Sequence, residues 1–128
     1  MSRTKSGTHI TQIGTVGVPV ADQDRAITFY LEKLGFEKRL DVPYGKGERW
    51  VEVAPPSSVT TIALVRAQQG EQTGVDTQVR LTTTDAAADH AMLRAGGVET
   101  DPDVMRYPVP MFAFRDADGN LFRLVERD

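Results

Sequence analysis

The chain contains no cysteine in its 128 residues, and it has no excess of positive charge. The missing thiols exclude disulfide bonds, thiolate nucleophiles and zinc sites built from cysteine. Lysine and arginine total 15 residues against 18 acidic residues, which gives a formal net charge of -3. Binding to a phosphate backbone needs concentrated basic residues. We therefore expect no nucleic-acid partner.

Long hydrophobic runs are also missing. The N-terminal stretch Met1–Thr8 is polar and lacks the apolar centre of a secretory signal, and no apolar run approaches the length that spans a membrane. A hydrophobic fraction of 40% and a charged fraction of 26% are typical of a globular domain. We therefore expect a cytoplasmic protein with no membrane partner, folded as a single domain over residues 1–128.

The clearest structural signal lies in the stretch Ile13–Glu37. Its valines between residues 16 and 20 alternate with other side chains, which is typical of a β-strand. Asp22 follows at the position of a helix N-cap, and apolar side chains then recur at three- and four-residue spacing. Gly35 is expected to end this helix, and Phe36 to begin a second strand.

The same pattern returns in the second half of the chain. Alternation around Gln78 predicts a strand, Asp85 is the expected cap, and Ala86–Ala95 is the expected helix. Two copies of one strand–helix–three-strand (βαβββ) unit indicate an α+β fold with module 1 at about residues 10–66, a polar linker at 67–74 and module 2 at about 75–127. The other predicted strands are Glu37–Val42, Arg49–Ala54, Thr60–Arg66, Met111–Phe114 and Leu121–Glu126, with Gly97–Thr100 as the weakest.

Side-chain alternation separates the two faces of the predicted sheets. The branched and aromatic side chains of one face would pack under the helices; they are Val16, Val18, Val20, Ile62, Leu64, Val79, Leu81, Phe122 and Leu124. The opposite face is small and polar; it carries Thr15, Gly17, Thr61, Ala63, Gln78, Arg80, Thr82, Leu121 and Arg123. Such a face fits the lining of a cup and fits a solvated sheet surface equally well.

The repeat, together with the segments VPVADQDRAITFYLEKLGFE and FRDADGNLFRLVE, resembles the vicinal oxygen chelate superfamily of glyoxalase I, bleomycin-resistance proteins and extradiol dioxygenases. The resemblance covers Gln12–Glu126. It implies that the two βαβββ modules form a curled mixed-sheet cup, and that the protein is a homodimer in which modules of different chains face each other. It does not imply one activity, because a single fold hosts many chemistries.

The resemblance also identifies where a metal would be bound. In the metalloenzymes of the superfamily, histidines at the starts of the module-opening strands and glutamates on the last strand of each module hold a divalent ion. The corresponding residues here are Thr15, Gln78, Ala63 and Arg123. Threonine and glutamine are weak neutral donors, alanine donates nothing, and arginine brings a positive charge. At about 4 Å, two like charges repel by roughly 4 kcal/mol in a partly screened site, so we expect no metal and no other cofactor.

We predict that a small molecule binds in the cup through Thr15, Trp50, Glu52, Ala63, Gln78, Arg80, Met111 and Arg123. The two arginines would bind a carboxylate or phosphate, with Glu52 as their counter-charge. The alternative is that both arginines are solvated or salt-bridged surface residues. The bulky Trp50 and Met111 would close an apolar pocket, although core packing or a dimer interface explains them equally well.

The sequence therefore predicts a metal-independent protein that binds or sequesters a small, part-aromatic or anionic molecule, with no catalytic residue that can be named. One alternative is a glyoxalase I-like lyase, an isomerase or a dioxygenase with a divalent metal in a non-standard site formed through Glu52 and His90. Another is an accessory subunit with a collapsed cup. Outside the metal alternative, His90 is predicted to be a packing residue, and Asp116 and Asp118 are predicted to hydrogen-bond within a turn.

Overall fold

A computed structural model gives the structure of residues 7–127, so Met1–Ser6 of the polar N-terminal stretch lies outside the described residues. Within that range the chain forms two helices and seven strands. They are β1 (Thr15–Val20), α1 (Gln23–Leu34), β2 (Glu37–Pro43), β3 (Arg49–Ala54), β4 (Thr61–Arg66), β5 (Asp76–Thr83), α2 (Ala86–Ala95), β6 (Met111–Arg115) and β7 (Leu121–Glu126). No helix in the described part of the chain is long and apolar enough to cross a membrane.

The strands form two sheets, one from each half of the chain. The first has the order β1-β4-β3-β2 and the second the order β5-β7-β6. In each sheet the opening strand runs parallel to the closing strand, and the other pairs are antiparallel. The predicted α+β fold with mixed sheets is therefore confirmed.

Both helices begin where the sequence predicts. The Asp22 carboxylate accepts a hydrogen bond from the backbone N–H of Arg25 at 3.1 Å, and Asp85 accepts from Ala88 at 3.0 Å. These caps satisfy N–H groups that have no partner inside the helix. The first helix ends at Gly35, whose φ of 72° is the left-handed conformation that glycine adopts without strain.

The predicted strand Gly97–Thr100 is the main difference from the sequence-based expectation. Only Thr100 forms a β-bridge there, to Phe114, and a second bridge joins Met105 to Met111. Gly97 adopts a φ of 84° as the chain leaves α2, and prolines follow the segment at positions 102, 108 and 110. Because proline has no backbone N–H, the pairing with β6 cannot continue as an unbroken ladder beyond residue 101.

The hydrophobic core runs through both modules. Eight of the nine side chains predicted to face the helices pack in one cluster with α1 and α2; Val16 is the exception. Tyr30 of α1 and Phe122 of β7 are each 0% exposed, and their ring centroids lie 6.1 Å apart. This contact joins the helix of module 1 to the sheet of module 2.

The turn at residues 116–120 forms the polar part of the same junction. The Tyr30 hydroxyl donates to Oδ2 of Asp116 at 2.6 Å, and Asn120 Nδ2 donates to the backbone oxygen of Pro19 at 2.8 Å. Asp116 also accepts within its own turn, from the N–H of Asp118 at 2.9 Å, as predicted. Asp118 reaches beyond the turn, because its Oδ1 accepts from the N–H of Ala21 at 2.9 Å. The turn therefore fastens module 2 to the end of β1 and to α1.

Candidate functional site

The predicted binding residues lie in two groups, one on each sheet. Thr15, Trp50, Glu52 and Ala63 belong to the first sheet, and Gln78, Arg80, Met111 and Arg123 to the second. We call the sheet surfaces that point away from the helices the helix-free faces. Among the described residues, no hydrogen bond or ion pair joins the two groups. We call these two groups the first and the second half-site of the predicted binding site.

In the first half-site, a carboxylate is held by two donors. Trp50 and Glu52 are two residues apart on β3 and so share a face, and the indole Nε1 donates to Oε2 of Glu52 at 2.7 Å. The hydroxyl of Thr61 donates to Oε1 of Glu52 at 2.8 Å. It also lies 2.7 Å from the hydroxyl of Thr15, which donates to the Thr61 backbone oxygen at 3.2 Å. Glu52 is therefore fixed in orientation.

Two further residues complete this half-site. The ring of Trp50 is half-buried and lies edge-to-face against Tyr44, with centroids 6.2 Å apart. Ala63 pairs with Glu52 across β3 and β4, but it is only 1% exposed. Because Ala63 is almost completely buried, a contact between its side chain and a ligand stays a prediction. Trp50 presents an aromatic surface next to the carboxylate of Glu52.

In the second half-site, the two arginines differ in their partners. Arg123 forms a two-pronged ion pair with Asp76, at 2.8 and 3.0 Å. Arg80, its neighbour across β5 and β7, donates instead to the backbone oxygen and to Oε1 of Gln78, at 2.8 and 3.2 Å. Among the described residues, Arg80 has no carboxylate within ion-pair distance. Of these two arginines, therefore, Arg80 is the one whose positive charge is not neutralised by a carboxylate among the described residues.

These partners correct one expectation. The counter-charge of Arg123 is Asp76, while Glu52 is bound by Trp50 and Thr61. The alternative of a salt-bridged arginine therefore holds for Arg123. The sequence carried a signal for Asp76, because it precedes Gln78 by two residues and so shares its face under strand alternation.

The backbone at Gln78 is strained. Its φ is 61°, in the left-handed region that residues other than glycine rarely adopt, and the pairing of β5 with β7 shifts between Asp76 and Arg80. Side chains hold this bulge, because Asp76 accepts from the N–H of Gln78 at 3.0 Å and Thr77 accepts from Val79 at 3.1 Å. Such strain costs on the order of 1 kcal/mol or more and is concentrated at functional sites.

Met111 begins β6 on the helix-free side, because Phe112 and Phe114 alternate with it and are buried in the core. Its backbone exchanges two hydrogen bonds with Met105, at 2.8 and 2.9 Å. The half-buried thioether therefore lies at the edge of the second half-site, next to the proline-containing segment.

The acidity of Asp76 gives a test of this half-site. Hydrogen bonds from Arg123 and from the backbone N–H of Gln78 lower the pKa of Asp76 to about 2. A lowered pKa in the folded state means that the pair stabilises the fold above the ordinary carboxyl pKa, and that this contribution is lost as the pH falls through about 2. By carboxyl-carbon NMR, we expect the pKa of Asp76 to rise in Arg123→Gln toward the ordinary carboxyl value of about 3.9, while the remaining hydrogen bond from the backbone N–H of Gln78 keeps it below that value. A wild-type Asp76 that titrates near the ordinary value would contradict the ion pair.

The residues at the superfamily's metal positions do not fit a divalent cation. The hydroxyl of Thr15 is hydrogen-bonded to Thr61, and the side chain of Ala63 has no donor atom. The guanidinium of Arg123, which is paired with Asp76, brings a positive charge to a metal-ligand position. Hard and borderline cations need carboxylate or imidazole ligands. In residues 7–127 no group of three or more histidine, cysteine, aspartate or glutamate side chains is arranged to hold a metal ion.

The non-standard site through Glu52 and His90 is not supported either. His90 Nε2 donates to the backbone oxygen of Asp101 at 2.8 Å, and its ring packs against Phe112 with centroids 4.9 Å apart. Glu52 has entirely different partners, Trp50 and Thr61. His90 therefore acts as a packing residue in α2, as predicted.

Comparison with known proteins gives consistent results. The family model of the Glyoxalase/Bleomycin resistance protein/Dioxygenase superfamily matches residues 12–124. The uncharacterized protein YetH of Bacillus subtilis (strain 168) is 33% identical over 120 residues, which cover 91% of this chain and 99% of YetH.

Two crystal structures are similar over almost the whole chain. A superfamily member from Sphaerobacter thermophilus DSM 20745 has a TM-score of 0.86 and 33% identity, and the match covers 94% of this chain and 100% of that protein. TnmS3, an antibiotic binding protein from Streptomyces sp. CB03234, has a TM-score of 0.81 and 33% identity, with 94% and 99% covered.

Proposed function

The chain belongs to the Glyoxalase/Bleomycin resistance protein/Dioxygenase superfamily, as its sequence predicted, and we propose that it binds a small organic molecule with an aromatic body and an anionic group, without using a metal. The observation that carries this proposal is the second half-site. Arg80 is an exposed cation that has no carboxylate partner within residues 7–127, and it lies beside the strained Gln78. A guanidinium with free N–H groups binds carboxylates and phosphates in a fixed, often two-pronged geometry.

The first half-site supplies complementary chemistry. Trp50 provides an aromatic surface, and Glu52, fixed by its two donors, would accept a hydrogen bond from a ligand N–H or O–H. The similarity to an antibiotic binding protein supports binding of a small molecule. The residues at the metal positions are not the carboxylate or imidazole ligands that hard and borderline cations need, which argues against a glyoxalase-type metal mechanism.

Our proposal includes a homodimer that brings the half-sites together. In each chain the first half-site contains the carboxylate of Glu52 and the second contains the guanidinium of Arg80. In the homodimer that we propose, the first half-site of one chain faces the second half-site of the other, so each carboxylate meets a guanidinium. The opening strands β1 and β5 also stand at the outer edges of their sheets. Unpaired edges are available for pairing with another chain. Light scattering of the full-length protein should then give the mass of two chains.

The ligand chemistry can be tested with 2-naphthoate and its neutral analogue 2-naphthamide. We expect calorimetry to show tighter binding of the naphthoate, and Arg80→Gln to remove that preference. The loss should be about tenfold, because a hydrogen bond to a charged group contributes roughly 1.5 kcal/mol or more. Arg106→Gln, which removes a cation from an exposed position outside the half-sites, should have no effect. Equal binding of both compounds by the wild type would rule out the anionic ligand class.

Metal independence has its own measurement. We expect protein purified without a histidine tag, incubated with nickel, zinc, manganese or iron and then dialysed, to retain no metal above background. The reason is that the four metal positions hold Thr15, Ala63, Gln78 and Arg123. Near-stoichiometric metal in elemental analysis would contradict the proposal and favour a glyoxalase-like or dioxygenase-like enzyme instead.

A further inference from the structure

A cavity of about 600 Å³ lies on the helix-packed side of the sheets, between the two modules. Its walls come from the end of α1, the loop between β3 and β4, the strand β5 and the helix α2. Ligand pockets in proteins typically occupy about 300–1,000 Å³. The cavity therefore has the size of a small-molecule site, and it shares only Thr61 and Arg80 with the residues described for the half-sites.

The internal repeat explains why this space is empty of side chains. Tyr30 lies eight residues after the cap Asp22, and Leu93 lies eight residues after the cap Asp85, so the two are equivalent. The hydroxyl of Tyr30 donates a hydrogen bond to the carboxylate of Asp116, in the turn between β6 and β7, and this contact closes the junction at that end. The equivalent loop of module 1, residues 55–60, carries two prolines and two serines and no carboxylate. Both this loop and Leu93 line the cavity, so the second junction is left open.

The floor of the cavity is apolar. Its side chains are Val16, Leu34, Phe36, Ile62, Leu81 and Leu124, and all of them except Val16 belong to the hydrophobic core or pack against it. A molecule that covered them would remove apolar surface from water, at roughly 25 cal/mol for each Å². The floor therefore favours a hydrocarbon or aromatic group.

The charged groups at the rim are Lys33, Arg80 and Asp89. Lys33 donates one hydrogen bond, to the backbone oxygen of Gly96 at 2.9 Å, and its ammonium group has two further protons. Asp89 is engaged by the hydroxyl of Thr83. The carboxylate of Asp89 already has a donor, and the two cations Lys33 and Arg80 outnumber it. The charge of the rim therefore favours binding of an anionic group.

We propose that this cavity is a second binding site, which takes an apolar molecule with an anionic head group such as an aryl sulfonate or a medium-chain carboxylate. The apolar part covers the floor, and the head group lies beside Lys33. This inference does not rest on the proposed function, because the head group is assigned to Lys33 and the apolar floor contains none of the predicted binding residues of the half-sites.

The probe for this site is 8-anilinonaphthalene-1-sulfonate, with the neutral N-phenyl-1-naphthylamine for comparison, both followed by fluorescence on the full-length protein. We expect one saturable sulfonate site per chain. Lys33→Gln should weaken the sulfonate roughly three- to fivefold and leave the neutral dye unchanged, because an exposed charge pair contributes up to about 1 kcal/mol. Ser57→Trp should weaken both dyes by about tenfold or more, because a close-packed indole at the cavity wall leaves no room for either.

The matched control is Arg106→Gln, which should affect neither dye. Trp50→Ala distinguishes the two sides of the sheets. Sulfonate binding that falls in Trp50→Ala but persists in Ser57→Trp would place the dye on the helix-free face and overturn the cavity proposal. The absence of saturable binding to the wild type would overturn it as well, without bearing on the naphthoate result.

Discussion

Replacing Asp116 with alanine is expected to lower the free energy of unfolding by about 3–4 kcal/mol. The carboxylate accepts four hydrogen bonds, from the Tyr30 hydroxyl at 2.6 Å, the Asn120 side chain at 3.0 Å, and the backbone N–H groups of Asp118 and Asn120, both at 2.9 Å. Asp116, Asn120 and Tyr30 are all buried. A buried donor that loses its acceptor costs roughly 1–3 kcal/mol, so several at once produce a large loss.

The phenol is committed to this interaction. Burial raises the pKa of Tyr30 far above its ordinary value, and the neighbouring charge of Asp116 raises it further, so the hydroxyl remains a donor. Tyr30→Phe removes one donor and keeps the ring, and its cost should be smaller, about 1–2 kcal/mol. A larger loss of stability in Asp116→Ala than in Tyr30→Phe would therefore show that the carboxylate contributes more than its single hydrogen bond with Tyr30.

The measurement is urea unfolding, with midpoints compared at constant slope. Asp103→Ala changes an exposed aspartate and should lie within about 0.5 kcal/mol of the wild type. If Asp116→Ala matched Asp103→Ala in stability, the turn would not be a structural junction between the modules.

Phe122→Ala is expected to cost about 3–5 kcal/mol. The ring is fully buried and stacks on Phe114, with centroids 5.6 Å apart and an angle of 11° between the rings. Its edge contact with Tyr30 continues the core into module 1. Truncation therefore removes contacts from both modules and leaves a cavity, which neighbours in a close-packed interior fill only in part.

The size series separates packing from folding failure. Phe122→Leu keeps most of the volume and should cost less than half as much as Phe122→Ala, on the order of 1–2 kcal/mol. Val59→Ala, at a position that is 67% exposed, is the control and should change little. Equal losses from the leucine and alanine variants would mean that the aromatic stack, and not the filled volume, carries the stability.

The elements that could be predicted from sequence are those specified by neighbouring residues. Asp22, Gly35 and the spaced apolar residues of α1 lie within about four turns of one another, and each acts through local geometry. The segment 97–100 was the weakest predicted strand, and only Thr100 forms a bridge there, because Gly97 has a φ of 84° and Pro102 follows two residues after Thr100. Local pattern therefore predicted α1, whereas the extent of this strand depended on the backbone conformation at Gly97 and on the prolines after it.

The candidate site depended on pairings between distant residues. Asp76 meets Arg123 across 47 residues, and Thr61 meets Glu52 across a strand register that no single segment specifies. Alternation placed Arg80 and Arg123 on one face but could not say which of them was neutralised. The bulge at Gln78, a positive φ in a residue other than glycine, had no signature in composition.

The junction at residues 116–120 has a consequence for the order of synthesis. Every strand of the first sheet has left the ribosome once Arg66 has emerged, and domains made early generally fold first. The partner of Tyr30 is encoded 86 residues later, and the side chain that binds Pro19 arrives 101 residues after it. Until the turn at residues 116–120 has been translated, the hydroxyl of Tyr30 therefore has no Asp116 carboxylate to which it can donate. The turn at residues 116–120 can therefore join the two modules only after both modules have been translated.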